Sequence, residues 1–551
     1  MNILVTGGLG FIGSNFVRYV YKHTDWEIVI LDKLTYSSNT KNVGDIVGPR
    51  VIIHIGDICD PQVVNGLVSS VDTVINFAAE VSNDRSLKNP KKFIQTNIYG
   101  TFILLEAIKK YNKRFHQVST DEVFGDLPIS SDESFNLDSK YNPSSPYAAT
   151  KASADHLVSS YVRSFGVQAT ISNCTNNFGP FASVEKMIPF QITNILKGKK
   201  ARIYGNGLHV RDWIYVEDHC AALLKILQKG KLGSTYLISA NHPRNNLDVV
   251  KFILTYLDKD AHDFYVANDR PGHDLKYSLD NSSIANELGW KPSFSFEEAL
   301  IKTIEWYREH RWFWENSTYL GVILAAGNGT RLKEISLGKN KHLLPIAHKP
   351  QIFYPVSTLV ESGVKEIVIL TQTQNIKLFK EIVREHFPDP AIRFYFAVDN
   401  ESIGTARSLN IVTDLYRSKK YAVIFGDNIF TEDFCEKLTE FKDGCIVFST
   451  HVVDPERFGV IAVDKTGKVT ELEEKPKIPK SNFVLTGGFL FDSKIRTYLK
   501  KVKASVRGEY ELSDAIRYYI ENGDCRYVEL KHTYFDMGTI ESYNNARNFF
   551  T

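Results

Sequence analysis

The sequence is 551 residues long, more than the ~250–300 residues that one hydrophobic core usually organises, which predicts several domains. A hydrophobic fraction of 43%, a charged fraction of 24% and a net charge of +2 indicate an ordinary globular protein and disfavour nucleic-acid or membrane-surface binding. Neither a run of ~18 apolar residues nor a secretion-signal pattern occurs, so no membrane span is expected. Six cysteines without a CxxC pair disfavour zinc and disulfides and predict a cytoplasmic location.

The N-terminal segment has the pattern of a dinucleotide-binding turn. A predicted strand (1–6) and a predicted helix (14–21) flank a GxxGxxG motif. Its glycines are Gly7, Gly10 and Gly13. Such glycines let the backbone approach a pyrophosphate at the helix N-terminus. The next predicted strand ends in Asp32, whose carboxylate would accept both adenosine ribose hydroxyls and repel a 2′-phosphate, which favours NAD over NADP.

Later strands extend this α/β pattern. The third ends near Asp57, where a side chain would meet the adenine, and the fourth leads into the small residues Ala78 and Ala79, which would let the backbone run under the cofactor. The following predicted helix (90–110) carries Asn97. That residue fits a buried structural amide and a site residue equally well.

A group of polar residues follows the fifth predicted strand (115–119). The triplet 120–122 supplies a hydroxyl and two carboxyls at the strand's C-terminal end, where open parallel sheets bind ligands. Tyr147 and Lys151 are spaced i, i+4 and share a helix face. An ammonium nearby would lower the tyrosine pKa and favour a phenolate base.

Residues 1 to about 317 resemble the extended short-chain dehydrogenase/reductases, and among these the dTDP-glucose 4,6-dehydratases. The matching stretches are 5–13, 32–36, 84–86, 119–125, 147–151, 173–180, 185–186, 211–213, 246–250 and 270–274. The Thr-Asp-Glu triplet distinguishes the dehydratases from the wider superfamily. The resemblance implies a Rossmann-type doubly wound parallel sheet with a small C-terminal substrate subdomain.

The resemblance implies a role for each polar group. Tyr147, helped by Lys151 and Thr120, would take the proton of the sugar 4-hydroxyl while NAD takes the hydride from carbon 4. Glu122 would remove the carbon 5 proton, and Asp121 would protonate the leaving 6-hydroxyl, so Asp121 is expected to have a raised pKa. Hydride would then return to carbon 6.

The same resemblance implies two further sets of residues. The cofactor side comprises Gly7, Gly10, Phe11, Ile12, Gly13, Asp32, Lys33, Asp57, Ile58, Ala78, Ala79, Thr96, Tyr147, Lys151 and Asn177. The sugar-nucleotide side comprises Arg85, Asn176, Lys186, Met187, Arg211, Asn246, Arg270 and His273. Its basic residues suit a diphosphate.

One loop departs from the family pattern. Where the family reads Ala-Ala-Glu-Ser-His-Val-Asp-Arg-Ser, this chain has Val81, Ser82 and Asn83 in place of Ser-His-Val. The replaced histidine lies near the substrate in the family, so the exact nucleotide or sugar is open. The catalytic groups are expected to be unaffected.

A second domain is expected to begin near residue 318. Three aromatics at 312–314 precede it and predict packing against one domain rather than a flexible linker. A buried strand (319–325) then enters a Gly-rich turn (326–332) without the GK[ST] of a Walker A loop. Its exposed backbone N–H groups, with Arg331, would bind phosphate oxygens.

Residues 319–551 resemble the sugar-1-phosphate nucleotidylyltransferases, especially those that use glucose-1-phosphate and dTTP, and imply a second Rossmann-like α/β domain. The likeness implies attack of the sugar phosphate on the nucleotide α-phosphate, with Asp427 and Asp536 holding Mg²⁺. Arg331 and Lys341 would hold the triphosphate. The implied substrate contacts are Gly327, Gly329, Thr330, Gly404, Gly459, Glu474 and Lys475.

This domain also departs from its family. Glu334, His342 and Met537 replace a proline, a glutamine and a threonine, and Asp399 replaces a glutamine that reads the pyrimidine. The choice between dTTP and UTP is therefore open.

Together the two halves, 1–317 and 318–551, predict consecutive steps of deoxysugar biosynthesis toward rhamnose-like sugars. The C-terminal half would make NDP-glucose from glucose-1-phosphate and dTTP or UTP, and the N-terminal half would convert it to the 4-keto-6-deoxy sugar. One alternative is the same pathway on UDP-glucose, and another is that one half is a non-catalytic scaffold. The dehydratase resemblance also implies a homodimer through that domain.

Overall fold

A computed structural model describes residues 1–268, 274–315, 319–327, 332, 335 and 340–551. The chain forms two compact units: Met1–Val43 with Arg50–Asn316, and Gly44–Pro49 with Ser317–Thr551. Each unit is built on its own sheet. Among the helices of these described residues, none combines the length and apolar character needed to cross a bilayer.

The first unit contains a seven-stranded parallel sheet. In spatial order its strands are Thr235–Ile238, Ala169–Cys174, Arg114–Thr120, Thr73–Asn76, Asn2–Thr6, Glu27–Asp32 and Val51–Ile55. The strands that start at Asn2 and Thr73 are almost wholly buried, as expected of a parallel sheet covered on both faces. This doubly wound order confirms the predicted fold class.

Helices connect and cover these strands. They are Phe11–His23, Pro61–Ser69, Asn83–Lys88, Pro90–Phe93, Thr101–Tyr111, Pro146–Phe165 and Val216–Lys229. The predicted helix 90–110 is interrupted by the π-helical turn Ile94–Gly100. Such turns insert a residue into the helical ladder and are frequent at functional sites.

A small subdomain completes the first unit. Its two sheets comprise Pro243–Asn245, Val210–Tyr215 and Asn176–Phe178, and Phe264–Ala267 with Ala201–Tyr204. Its helices are Met187–Leu196, Asn246–Tyr256, Ser282–Leu288 and Phe296–Glu309. Phe313 and Trp314 pack against this subdomain's core, and Trp314 donates to the Tyr307 carbonyl. The aromatics 313–314 therefore pack on the first unit, as the sequence predicted for one of the two domains.

The second unit has a nine-stranded mixed sheet. Its main path is Arg393–Val398, Glu366–Thr371, Leu320–Leu324, Lys420–Phe425, Phe483–Asp492, Cys445–His451 and Cys525–Glu529, with Gly459–Val463 and Val469–Glu474 attached at Phe483–Asp492. The first four of these strands are parallel. Two short pairs are Pro345–Ile346 with Lys349–Pro350, and Asn428–Phe430 with Tyr534–Asp536. The longer helices are Phe353–Glu361, Ile376–His386, Thr405–Leu415, Leu512–Glu521 and Ile540–Phe550.

Candidate active sites

Two cavities meet at the carboxyl edge of the parallel sheet. One has a volume of about 200 Å³ and the other about 280 Å³. Five residues line both: Phe11, Ile12, Ser119, Tyr147 and Lys186. A group held in one cavity would therefore face a group held in the other across Tyr147.

The smaller cavity gathers the predicted cofactor residues. It is lined by Gly7, Gly10, Phe11, Ile12, Gly13, Asp32, Lys33, Asp57, Ile58, Ala78, Ala79, Thr96, Tyr147 and Lys151. Gly7 has φ +68°, and a Cβ there would lie 2.7 Å from the Ala78 nitrogen. Only glycine fits this turn without strain, so the backbone is shaped as a dinucleotide requires.

Asp32 is nearly buried at the end of its strand. Its carboxylate accepts from the Leu9 and Leu34 N–H groups and from the Ser38 hydroxyl at 2.7 Å. Burial raises its pKa, while these donors oppose the rise. Lys33 lies beside it and contacts Thr96 at 3.1 Å. This edge of the cavity thus combines an acid with a nearby cation.

Asn97 is a structural amide. Its oxygen accepts from the Glu80 N–H at 2.8 Å, and its nitrogen donates to the Glu80 carbonyl and the Thr150 hydroxyl. These bonds use the side chain to join a loop to a helix. Of the two sequence interpretations, the structure favours the structural one.

The larger cavity holds the dehydratase-like residues. It is lined by Thr120, Asp121, Glu122, Tyr147, Asn176, Asn177, Lys186, Met187, Arg211 and Asn246, among others. Asn177 was predicted on the cofactor side but lines only this cavity, where it accepts from His219 Nδ1 at 2.9 Å. Within the described part of the chain, Asp121 Oδ2 and Asn176 Oδ1 are buried and lack a hydrogen-bond partner. Such orphaned atoms fit a polar ligand.

Asp121 and Glu122 differ in environment although they are adjacent. Burial, and then the Glu122 charge, raise the pKa of Asp121 to about 8, so this carboxyl is protonated at neutral pH. Burial also raises the pKa of Glu122, but a hydrogen bond from Asn83 and the charge of Arg211 oppose the rise. The raised pKa expected for the acid is confirmed, and Glu122 differs from it in having an amide donor that opposes the rise.

The expected depression of the Tyr147 pKa is wrong for this structure. Burial raises that pKa, and the Glu122 and Asp121 charges add to the effect. Lys151 instead donates to the Val118 carbonyl at 2.7 Å, and burial lowers its pKa. The i, i+4 spacing predicted the ammonium but not the burial of the phenol, which is the largest cause of the raised pKa, nor the two nearby carboxyls.

The loop 81–83, whose sequence differs from the family pattern, contacts a catalytic candidate, contrary to the sequence expectation. Asn83 Nδ2 donates to Glu122 Oε2 at 3.0 Å. The sequence showed Asn83 only as a departure, because residues 83 and 122 lie on different strand-to-helix connections that meet in three dimensions.

Several other residues lie apart from their predicted roles. Arg85 lines neither cavity; it pairs with Glu185 at 2.9 Å and stacks on the Tyr36 ring. Arg211 lines the larger cavity but also donates to the Val210 and Asp274 carbonyls. Arg202 lines it too, although it belongs to no recognised motif. Arg270 and His273 fall outside the described residues.

In the second unit, a short strand pair brings the two predicted magnesium ligands together. Asn428 is opposite Asp536 in antiparallel register, and the Met537 N–H donates to the Asp427 carbonyl at 2.9 Å. Across the described ranges, no three His, Cys, Asp or Glu side chains are grouped to hold a metal ion. Two carboxylates fit Mg²⁺ when phosphate oxygens and water complete its shell.

Both aspartates face cations. Asp427 forms an ion pair with Lys341, and Arg457 donates to Asp536 at 3.1 Å. Burial raises the pKa of Asp427, but the charge and hydrogen bond of Lys341, with smaller contributions from its other neighbours, together outweigh burial and the pKa falls to about 2. His342, next to Lys341, is kept neutral because burial lowers its pKa to about 3.

A hairpin assembles the predicted hexose-phosphate contacts. Gly459 is opposite Glu474, and the Lys475 N–H donates to the Phe458 carbonyl at 2.9 Å. Lys475 lies 3.5 Å from the Glu474 carboxylate. These three predicted residues therefore lie together at one end of the hairpin.

Part of the Gly-rich turn falls outside the description. Gly329, Thr330 and Arg331 lie outside the described residues, as does Glu334. Gly327 is described, and a Cβ there would lie 3.8 Å from Lys341 Cε. The start of the turn is thus beside the predicted triphosphate lysine.

Asp399 has its oxygens bound by its own chain. They accept from the Glu401 and Ser402 N–H groups and from the Ser408 hydroxyl at 2.6 Å. The side chain therefore braces the loop before Gly404, whose φ of +118° and close approach to Tyr510 require glycine.

Comparisons with known proteins agree with this geometry. Residues 4–303 match the family model described as GDP-mannose 4,6 dehydratase. The chain belongs to this family. Residues 320–551 match the family model described as nucleotidyl transferase, so a nucleotidyl transferase domain follows the dehydratase-family domain in one chain.

Two relatives of the dehydratase-family domain are both named dTDP-glucose 4,6-dehydratase. A dTDP-glucose 4,6-dehydratase of Mycobacterium tuberculosis is 48% identical over 316 residues, covering 57% of this chain and 95% of that protein. One from Haemophilus influenzae is 43% identical over 331 residues, covering 56% and 98%.

Solved structures resemble the same domain. The dTDP-glucose 4,6-dehydratase DesIV of Streptomyces venezuelae, with NAD and TYD bound, has a TM-score of 0.55 and 38% identity, covering 57% of this chain and 99% of that one. UDP-glucose 4-epimerase of Thermotoga maritima, with UDP-glucose, has a TM-score of 0.53 and 27% identity, covering 56% and 99%.

Proposed function

We propose that this protein is a bifunctional enzyme of deoxysugar-nucleotide synthesis. Its second domain, from about residue 318, joins glucose-1-phosphate to dTTP with release of pyrophosphate. Its first domain dehydrates dTDP-glucose to dTDP-4-keto-6-deoxyglucose. The M. tuberculosis relative, 48% identical over 95% of its length, supports the dehydratase and its substrate.

The smaller cavity of the first domain suits NAD. The glycine turn would take the pyrophosphate, and Asp32 the adenosine ribose, while Asp57 and Ile58 lie where an adenine would reach. Bound there, NAD supplies the acceptor for hydride from carbon 4 and its donor at carbon 6. The NAD-bound S. venezuelae structure supports this assignment.

The side chains of the larger cavity move the protons. Tyr147 takes the proton of the sugar 4-hydroxyl; because Asp121 is already protonated, Glu122 is the charge beside Tyr147 that opposes a phenolate. Glu122 takes the carbon 5 proton, and Asp121 gives its proton to the leaving 6-hydroxyl, which departs as water. Glu122 then returns its proton to carbon 5, and exchange with solvent resets Tyr147 and Asp121.

In the second domain, Asp427 and Asp536 would hold Mg²⁺ with the nucleotide phosphates. The ion supplies charge that balances the departing pyrophosphate. Lys341 would then leave its ion pair with Asp427 and bind a phosphate oxygen of the nucleotide instead. Glu474 and Lys475 would hold the hexose phosphate. The match of residues 320–551 to nucleotidyl transferases supports this chemistry.

The observation that carries the proposal is the meeting of the two cavities at Tyr147. An acid and a base lie next to each other in one cavity, and a glycine turn lies in the other. Elimination of water needs one proton removed and one donated, while reduction needs a hydride source within reach. This arrangement provides both.

UDP-glucose is the second candidate substrate. The glutamine that would read the pyrimidine is replaced by Asp399, whose oxygens are bound by its own chain. Base choice through this side chain is therefore not expected, which keeps UTP as a candidate.

A competition experiment tests both domains together. The protein receives glucose-1-phosphate, Mg²⁺, NAD and equal amounts of dTTP, UTP, CTP, GTP and ATP, and the sugar nucleotides are identified by mass. We expect dTDP-hexose lighter than dTDP-glucose by one water. A UDP-sugar with the same loss would move the pathway to UDP-glucose. Intact NDP-glucose, or no sugar nucleotide at all, would indicate that one domain is a scaffold.

A further inference from the structure

Asn83 connects the proposed base to the start of the helix that carries Tyr147. Its Nδ2 donates to Glu122 Oε2 at 3.0 Å, and its Oδ1 accepts from the Ser145 hydroxyl at 2.9 Å. Ser145 is the N-cap of the helix Pro146–Phe165 and accepts from the Ala148 N–H at 3.1 Å. Three side chains from separate segments thus form one chain of hydrogen bonds.

The hydrogen bonds of this chain run in one direction. Ser145 Oγ accepts from the Ala148 N–H and donates its own proton to Asn83 Oδ1. The Asn83 NH₂ group then faces Glu122 and donates to it. An amide in this orientation favours the carboxylate over the carboxylic acid.

The backbone before Asn83 is unusual. Ser82 has φ +87°, a region that a serine adopts only when the surrounding structure enforces it. The helix Asn83–Lys88 begins at the next residue. The turn therefore directs the first side chain of that helix toward Glu122.

Asn83 lines neither cavity, so it reaches substrate only through Glu122. Other charged and titratable groups also face Glu122. They are Asp121, Tyr147, Lys186, Arg211, Asp274 and Tyr277. Two of them are cations, but among the described residues only Asn83 donates a hydrogen bond to the Glu122 carboxylate.

We propose that Asn83 is a positioning residue that orients Glu122 and keeps it ionised as the base for the carbon 5 proton. This inference rests on the proposed dehydratase function. It explains how two adjacent carboxyls keep different roles. The amide stabilises the charge of Glu122, whereas Asp121 accepts from the Thr120 hydroxyl at Oδ1 but has an orphaned Oδ2 that can keep a proton. Base and acid are thereby assigned before substrate arrives.

The test compares Asn83→Leu and Asn83→Asp with wild type in the full-length protein. Leucine has a similar shape but no donor, and aspartate places a second carboxylate against Glu122. Asn65→Leu is the matched control, because Asn65 is a half-buried amide on the helix Pro61–Ser69 that donates only to the Pro61 carbonyl among the described residues and lines neither cavity. Bound NAD and thermal melting are measured for each variant.

The pH profile of kcat for dTDP-glucose dehydration is the first readout. Glu122 must be ionised, so activity is lost as pH falls through its pKa. Removing the donor raises that pKa, and we expect the acid limb of Asn83→Leu to move up by about one pH unit, with about tenfold lower kcat at low pH and little change in KM. Asn83→Asp should move further. Asn65→Leu should match wild type.

A substrate deuterated at carbon 5 gives the second readout. If Asn83 acts through the base, the isotope effect on kcat should increase in Asn83→Leu, because proton removal becomes slower. An unchanged acid limb and isotope effect would overturn the proposal, as would an equal loss at every pH that follows the melting temperature. Inactive wild-type protein would instead refute the dehydratase function itself, so the two failures are distinguishable.

Discussion

The two candidate sites hold buried acid groups in different ways. In the dehydratase-family domain, Asp121 is 1% exposed and keeps its proton up to a pKa of about 8. In the nucleotidyl transferase domain, Asp427 is held ionised by Lys341, with a pKa of about 2. The first arrangement supplies a proton, and the second supplies a charge that a cation can take over.

This difference follows from what surrounds each carboxyl. Asp121 is buried beside the Glu122 charge and has an orphaned oxygen, so the neutral form is favoured. Asp427 and Asp536 each contact a cation, and the ionised form of Asp427 is favoured. If the two aspartates bind Mg²⁺ as proposed, the ion would replace Lys341 and Arg457 as their partners and leave these cations for an anionic substrate.

The largest expected effect is the loss of dehydration, with nucleotidyl transfer unchanged, when Glu122 is substituted. Glu122→Gln should lower dehydration of supplied dTDP-glucose by about 10³-fold, because the base for carbon 5 is lost. Formation of NDP-glucose by the same protein should be unchanged. Both rates are measured by product mass. A parallel loss in both reactions would show that the substitution damaged the whole protein.

The reciprocal substitution acts on the second site. Asp427→Asn should lower NDP-glucose formation by several hundred-fold, on the order of losing one strong electrostatic contact in a transition state. Dehydration of supplied dTDP-glucose should persist. Asp464→Asn, on an exposed turn, is the control. If Asp427→Asn retains activity at every Mg²⁺ concentration, Asp427 is not a metal ligand.

The pH dependence of the two reactions sharpens the contrast. Asp121 must carry its proton to act as the acid, so that proton is present below a pKa of about 8 and lost above it. Dehydration should therefore fall by about tenfold per pH unit above that value. Asp427, with a pKa of about 2, stays ionised over this pH range, so its titration should cause no fall in the rate of nucleotidyl transfer at high pH. Rates of both reactions from pH 6 to 10 check this.

A dehydration rate that stays flat to pH 10 would contradict the assignment of Asp121 as the acid. Asp121→Asn should retain only a small residual rate, and that residual rate should lack the alkaline limb. The second domain of the same variant provides the internal control.

Much of the fold and many site residues could be predicted, because glycine turns and strand-end polar groups are local in sequence. The Gly7 turn and the triplet 120–122 belong to this class, and each has a direct structural reason for its residues. The two predicted magnesium ligands are distant in sequence, yet each lies in a recognisable stretch, and one strand pair brings these stretches together.

The predictions that were wrong or incomplete depended on contacts between loops that are distant in sequence. The Tyr147 pKa was predicted from one neighbour on its helix, whereas the burial that chiefly raises it, and the Glu122 and Asp121 charges that add to the rise, depend on other segments. Asn83 was noticed only as a departure, and its bond to Glu122 needed the fold. The spacing of residues in one sequence contains no information on such contacts between distant segments.

The smallest expected effect concerns the backbone of the first site alone. Gly7→Ala introduces a Cβ 2.7 Å from the Ala78 nitrogen at φ +68°, so it should destabilise the first domain by about 1–3 kcal/mol and weaken NAD binding. Gly66→Ala is the matched change: it lies in the helix Pro61–Ser69 with no atom within 4 Å of the new Cβ, and should stabilise by about 0.5–1 kcal/mol. Denaturant unfolding and NAD titration measure both. If the two variants change the free energy of unfolding equally, the Gly7 turn does not need glycine. If Gly7→Ala lowers this free energy and Gly66→Ala raises it, with NDP-glucose formation unchanged in both, the backbone requirement belongs to the dinucleotide cavity.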